Sequence, residues 1–521
     1  MSNGTVLAGI FGDGMVIQRN EDFYIWGQDS GDKIKVFFDD AVYEGDVVDG
    51  RFKICIPAHS EGTGFTIKVE GTDTIELKDV CFGEVFLLVG QSNMELPVYR
   101  TLDESEEEVK ASNYPYIRQY RLTPQYRLDE NKLADLPDSK WTAAVPGEIM
   151  EMSAVGFFCA KNLGLDCPIG FVMAAQGGST LEAWMPYDLL SKFGDYSELV
   201  NKFHEDGSLQ QYLHEQDVEI AAWRDALNDE GLEKRALAIP DDAVDVTLPG
   251  MFLESEGDGY TGSMWLYKEV EINEPCKDAF LYVGELVDAD DTYINGVHVG
   301  STPYCYPPRK YPFDGSILKK GKNLIAVRLI VNDKNGGFLK DHRYYLRSGN
   351  EKVSIEGTWK RSYENKAEAS CRPVTMGQTI PTALYTASIK TILDVKFRGA
   401  WWYQGESNAE DPYNNNPKLG DPKDYPYRGY DALFKAMVER WRADFGQKLP
   451  IVVVEMPDYV NPVTGLGDGW LVIQEMQRKA PEQLSDCSYV HAKDLGQPYE
   501  LHPQLKSELG KRMAEQVKKY L

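Results

Sequence analysis

The 521-residue chain lacks several things that common functions require. Its eight cysteines (Cys55, Cys81, Cys159, Cys167, Cys276, Cys305, Cys371 and Cys487) are scattered, with no CxxC or other metal-ligand spacing, so no metal site is expected and reduced structural thiols are. No stretch approaches about 18 uninterrupted apolar residues, and the opening MSNGTVLAGIFGDGM has no basic region followed by an apolar one. No membrane association is expected. The localisation expected is cytoplasmic, or secreted if a leader has been removed. Basic residues are also short: 55 Lys and Arg against 82 Asp and Glu give a net charge of −27, and no basic cluster stands out as a phosphate-binding patch. Such a field repels polyanions and argues against nucleic acid. An anionic small substrate would need its own local Arg or Lys, whereas a neutral one would not.

What is present suggests several domains, at roughly 100 to 200 residues for each. Residues 1–80 carry short alternating runs such as Phe23-Tyr24-Ile25-Trp26 and Ile34-Lys35-Val36-Phe37-Phe38 between turn-rich pieces. These predict an N-terminal β-sandwich. Over 81–235 the texture changes to buried-type strands (Val85 to Val89, Ile169 to Ala175) alternating with helix-like segments (Ser153 to Leu163, Asp217 to Lys234), the pattern of a parallel sheet with helical crossovers. Residues 236–350 revert to β, with Asn295-Gly296 between alternating runs as a hairpin signal. The α/β pattern resumes over 351–521, with strands at Phe397 to Tyr403 and Pro450 to Glu455 and helices at Tyr430 to Phe445 and Gln504 to Tyr520. The second β block therefore interrupts an α/β domain.

Ligands of open parallel sheets bind at the carboxyl ends of the strands. Three polar clusters each follow an apolar run: Gly90-Gln91-Ser92-Asn93-Met94, Gln176-Gly177-Gly178-Ser179-Thr180, and Gln404-Gly405-Glu406-Ser407-Asn408. A fourth, Glu500-Leu501-His502-Pro503, precedes the final helix. Serine becomes a nucleophile when a histidine takes its proton and an acid orients that histidine. Of seven histidines, His59, His204, His214, His298 and His342 lie in β segments or among charged residues, while His491 and His502 fall at the end of the α/β domain. Backbone amides beside glycine, or a side-chain amide, suit an oxyanion: Ser92, Gly177, Gly178 and Gln404 are the candidates. Each signal has a bland alternative. Ser92 could be a helix N-cap, Gly177-Gly178 a tight turn, Gln404 and Glu406 buried groups satisfying backbone, and His502 a surface residue. The common G-x-S-x-G elbow is absent, since Met94 holds its last position.

The block Gly90 to Met94, followed by Glu95-Leu96-Pro97-Val98, resembles the signature of the sialate O-acetylesterase family, a carbohydrate-esterase branch of the SGNH hydrolases. Further matches are Phe11 to Arg19, Gln176 to Trp184, Trp402-Tyr403-Gln404-Gly405-Glu406-Ser407-Asn408-Ala409, and Asp494-Leu495-Gly496 with His502-Pro503, Lys506, Gly510 and Arg512. The resemblance implies an SGNH parallel-sheet catalytic domain with the N-terminal β-sandwich and an inserted β jelly-roll domain like the sugar-binding modules of glycosidases. It implies Ser92 as nucleophile and His502 as base. The amides of Ser92 and Gly177 or Gly178 and the Gln404 side chain would form the oxyanion hole, with no metal or cofactor. Two departures stand out. Glu500 replaces the family's usual Asp two residues before the histidine, so Glu500, Glu406 and Asp494 compete as the acid, and Gln176 replaces a usual Trp.

The expected function is hydrolysis of acetyl esters on a carbohydrate, either sialic acid or a neutral glycan such as acetylated xylan. The alternative is a non-catalytic glycan-binding protein on a decayed hydrolase scaffold. A lipase or peptidase lacks its elbow. The sequence gives no indication of oligomeric state.

Overall fold

The structure is a computed structural model that describes residues 4–521 apart from 124, 129–139, 206, 229–230, 253–258, 306, 422, 427 and 462–466. At its centre lie β1 (Thr74–Gly90), β2 (Tyr114–Arg121), β3 (Trp141–Ala144), β4 (Ile169–Met173), β5 (Gly399–Tyr403), β6 (Ile451–Val454) and β7 (Cys487–Val490). They run in the order β3-β2-β4-β1-β5-β6-β7. All neighbours are parallel except β3, which closes one edge antiparallel to β2. The order reverses at β1, which has β4 on one side and β5 on the other, so the carboxyl end of β1 is where an open sheet is expected to take its ligand.

Side-chain alternation explains the layers. Phe86 and Leu88 of β1, with Trp401 and Tyr403 of β5, turn to the face covered by helices Ala154–Leu163 and Lys506–Val517. Val85, Leu87, Val89, Ala400 and Trp402 turn to the opposite face, where helix Tyr430–Phe445 buries Leu433, Phe434, Met437 and Trp441. A strand covered on both faces has to be apolar throughout, and every residue of β1 from Val80 to Gly90 except the buried Glu84 fits that demand. The helix ends follow local chemistry. The Ser153 hydroxyl accepts the Gly156 N–H at 3.1 Å, and Gly164 and Gly446 close their helices in the left-handed region.

β1 runs through the boundary expected at residue 80. Its first half alternates and pairs with Gly62–Glu70 of the N-terminal β region, so that region and the central sheet share one strand. The interrupting β segment forms a six-stranded antiparallel sheet and a four-stranded one around a shared core that includes Leu266, Leu281, Val327, Leu346 and Trp359. Its last strand, Gly357–Lys366, lies past the expected end at 350 and pairs with Gly262–Ile272. The helix expected over Asp217 to Lys234 instead spans Ser208–Asp225, with a short helix at Leu232–Arg235. Only Leu209 and Gln216 of the longer helix are buried, so no apolar stripe marks its ends. All eight cysteines are free thiols. Among the described residues no helix is long and apolar enough to cross a membrane.

Candidate active site

β1 ends at Gly90, whose φ of +122° turns the chain sharply. A side chain there would place its first carbon 2.2 Å from the Tyr403 carbonyl, so only glycine lets β1 and β5 close up at this point. The Gln91 N–H donates to Tyr403 O, and Gly90 O accepts from the Gln176 N–H and from Ser179 Oγ at 3.1 Å. Gln91 Oε1 accepts the amides of Gly405 and Ser407, each at 3.3 Å. Three of the four polar clusters are thus joined by direct hydrogen bonds.

Asn93 brings in the fourth. Its Nδ2 donates to Leu501 O at 3.0 Å and to Glu406 Oε1 at 2.7 Å, while its Oδ1 accepts from Lys506 Nζ at 2.7 Å. Because Asn93 follows Ser92 and Leu501 precedes His502, this amide ties the half-buried Ser92 to the buried His502. Among the described residues the two side chains themselves share no hydrogen bond. Gly177 packs against Ser92, with its would-be side-chain carbon 3.4 Å from Ser92 Cβ.

The imidazole of His502 is neutral. Burial, with the charges of Arg100 and Lys506 added, pushes its pKa down to about 3. Its Nδ1 has no hydrogen-bond partner among the described residues. Glu500, one of the expected acids, does not reach it: Glu500 Oε1 accepts the backbone N–H of His502 at 3.0 Å, and Oε2 stands 3.8 Å from His342 Nδ1. Glu406 faces Asn93 instead, and its Oε2 is buried without a hydrogen-bond partner among the described residues. Burial raises the pKa of both carboxyls. Asp494 lies elsewhere, its exposed carboxylate held by Arg512 at 2.6 Å and 2.9 Å with His491 at 3.3 Å.

Two of the expected oxyanion donors are already committed. The Gly177 N–H donates to Glu95 Oε2 at 2.6 Å, and Glu95 also pairs with Arg121. Both hydrogens of the Gln404 amide are in use, one on Ser179 O at 3.0 Å and one on Asn408 Oδ1 at 2.7 Å. Gln404 thus braces the loops. The Ser92 and Gly178 amides have no hydrogen-bond partner among the described residues, and Gly178 adopts a φ of +76°.

Several residues at this centre escaped the sequence reading. Asn93, Glu95 and Lys506 stood inside matched motifs without roles. His342 and Glu285 come from the interrupting β segment, and nothing local marks them. Burial holds the His342 pKa near 4 and raises that of Glu285 well above the carboxylate range, with Glu500 adding repulsion. The same segment reaches the site through Lys310, which donates to Asp103 Oδ2 at 2.8 Å; that oxygen also accepts from Gln504 at 2.9 Å.

Fold and site together define an α/β protein whose polar centre, with a serine and a histidine, lies at the carboxyl edge of its parallel strands. Residues 374–519 match the family model described as carbohydrate esterase, sialic acid-specific acetylesterase. The human sialate O-acetylesterase is 30% identical over 142 residues, 26% of this chain and 26% of its own. The mouse sialate O-acetylesterase is 34% identical over 118 residues, 21% of this chain and 22% of its own. The resemblance read from the sequence holds over this segment, which is similar to the sialate O-acetylesterases; the match spans about a quarter of the curated relatives' length. The solved structure of a carbohydrate acetylesterase from Xanthomonas citri shares the fold, with a TM-score of 0.57 at 20% identity over 99% of this chain and 74% of that one.

Proposed function

We propose that the protein is a carbohydrate O-acetylesterase acting through an acyl-enzyme on Ser92. One observation carries the reading: four polar clusters from separate parts of the chain meet beyond β1, with Asn93 linking the Ser92 turn to the His502 loop. His502 is neutral in the free enzyme and serves as the base that takes the Ser92 proton as Oγ attacks the acetyl carbonyl. The oxyanion that forms is met by the uncommitted amides of Ser92 and Gly178. His502 then returns its proton to the departing sugar hydroxyl, and a water activated by the same imidazole releases acetate. Glu500 holds His502 through the main chain, with no carboxylate on Nδ1. The domain organisation proposed is a catalytic α/β unit with an N-terminal β-sandwich and an inserted jelly-roll-like β unit.

Arg100 favours an anionic sugar of the sialic acid type. Its charge acts on His502, Glu500 and Glu285, and among the described residues it makes no ion pair, which makes it the local cation that a carboxylate substrate needs in so acidic a protein.

The test is acetate release from 4-nitrophenyl acetate by wild type and Ser92→Ala, then from O-acetylated sialic acid and acetylated xylo-oligosaccharides. Turnover that falls by about 10³-fold or more in the variant supports the serine mechanism, and the panel assigns the sugar. Wild type and variant equally inert on every ester, with glycan binding retained, would replace this reading with that of a binding protein.

A further inference from the structure

Lys506 is 1% exposed, yet its ammonium makes no ion pair among the described residues. It donates to Asn93 Oδ1 at 2.7 Å and stands 5.1 Å from the centre of the Tyr403 ring. A buried cation without a contacting carboxylate is costly, so its place beside the site calls for a function. An ammonium can only donate, and Asn93 must therefore turn its oxygen toward Lys506. Both amide hydrogens are then delivered the other way, to Glu406 Oε1 and Leu501 O. Turned over, Asn93 would set N–H groups against the ammonium and its oxygen against a carboxylate and a carbonyl.

We propose that Lys506 is a positioning residue for the esterase reaction: its ammonium locks the orientation of the Asn93 amide, which fixes the separation of the Ser92 turn from the His502 loop. The proposal rests on the esterase reading above. Among the described residues the titratable and charged groups facing Lys506 are Tyr403, Glu406, Glu500 and His502. Burial lowers the Lys506 pKa to about 7, against the opposing pull of the two carboxylates. The lock is therefore set below about pH 7 and released above it, where the neutral amine can accept as well as donate.

Lys506→Met keeps the apolar contact with Tyr403 and removes the donor. Its kcat on 4-nitrophenyl acetate is expected to fall about 100-fold with KM changed by less than about threefold, the signature of a misplaced but intact site. The decline of wild-type kcat above about pH 7 should be missing in the variant. A second measurement needs no turnover: the side-chain amide hydrogens of Asn93, followed by ¹⁵N NMR, should exchange about tenfold faster in Lys506→Met than in wild type. Lys506→Arg retains a pure donor and should preserve most of the kcat and the Asn93 protection. A folded Lys506→Met with kcat within about threefold of wild type, or with Asn93 protected as in wild type, overturns the proposal. If Lys506→Met does not fold, a folded Lys506→Arg that loses both kcat and protection overturns it. Inertness of wild type and Ser92→Ala alike sinks the esterase reading instead, and the Asn93 exchange rates still decide whether the lock exists.

Discussion

Lowering the pH from 7 to 5 should leave kcat/KM for acetate release nearly unchanged, although a histidine base ordinarily begins to fail near pH 6.5. An imidazole at its usual pKa of about 6.5 would be only about 3% neutral at pH 5, a loss of roughly 30-fold in the reactive form. With His502 held at about 3 by burial and by its two cationic neighbours, nearly all of it stays neutral. The parameter to follow is kcat/KM, because it reports the free enzyme. The same shift carries a stability cost of known sign. The folded pKa lies below the unfolded one, so the His502 contribution is fully present above about pH 6.5 and is lost on acidification toward 3, at up to about 1.4 kcal/mol per pH unit. Between pH 6.5 and 5 that amounts to about 2 kcal/mol. Urea unfolding followed by tryptophan fluorescence at pH 7, 6 and 5 should show this slope in wild type and a correspondingly shallower one in His502→Asn. A 30-fold fall in kcat/KM titrating near pH 6.5, with equal stability slopes in the two proteins, would refute the assignment of a dry, neutral base.

Glu500→Gln should lose less than about tenfold in kcat, because the amide oxygen can still accept the His502 backbone N–H; a loss near 10⁴-fold would show that the carboxylate orients Nδ1 during turnover. Arg100→Ala should raise KM for an O-acetylated sialic acid by about tenfold or more while leaving KM for 4-nitrophenyl acetate within about threefold, and an equal effect on both KM values would remove the case for an anionic sugar. In the β segment, Arg309 and Asp290 are fully buried partners joined at 2.7 Å, so Arg309→Met should destabilise the protein by about 3 to 5 kcal/mol in urea unfolding. A cost below about 1 kcal/mol would mean that Asp290, which also accepts from Thr292 and Tyr311, needs no cation.

The parts of the fold that sequence made legible are those where one local rule acts alone. Helix Tyr430–Phe445 has the bounds expected of it because its apolar stripe runs from Tyr430 to Phe445 and Gly446 supplies a left-handed stop. Asn295 and Gly296 sit at φ +51° and +82°, as the tight turn between Ala289–Ile294 and Val297–Thr302 requires. Helix Ser208–Asp225 was misplaced because it is mostly exposed, and strand Gly357–Lys366 because its polar outward positions hide its pairing. At the site, the convergence of four clusters was legible from their position after apolar runs. The direction each polar group takes was not. Glu500 reaches its own loop's backbone and Gln404 a pair of acceptors behind it, choices set by which partner lies within about 3 Å rather than by residue type. His342 and Glu285 join only because the β segment folds back on the 499–502 loop, a contact more than 150 residues apart in the chain.

Two buried polar networks in this molecule contrast. In the β segment, Asp290 accepts from Arg309, Thr292 and Tyr311, and Arg309 also donates to the carbonyls of Cys305, Pro307 and Asp288. Each nitrogen of Arg309 and each carboxylate oxygen of Asp290 has a partner there, the condition under which a buried network rigidifies a fold. Elsewhere, Gln404 Oε1, Glu406 Oε2 and His502 Nδ1 of the site, with Glu285 Oε1 and His342 Nε2 of the β segment and Gln504 Oε1 beside Asp103, are buried without a hydrogen-bond partner among the described residues. That the β segment contributes Glu285 and His342 to the cluster means the centre is assembled from both parts of the chain, so a change that loosens the 499–502 loop from His342 acts on His502 as directly as one made beside Ser92.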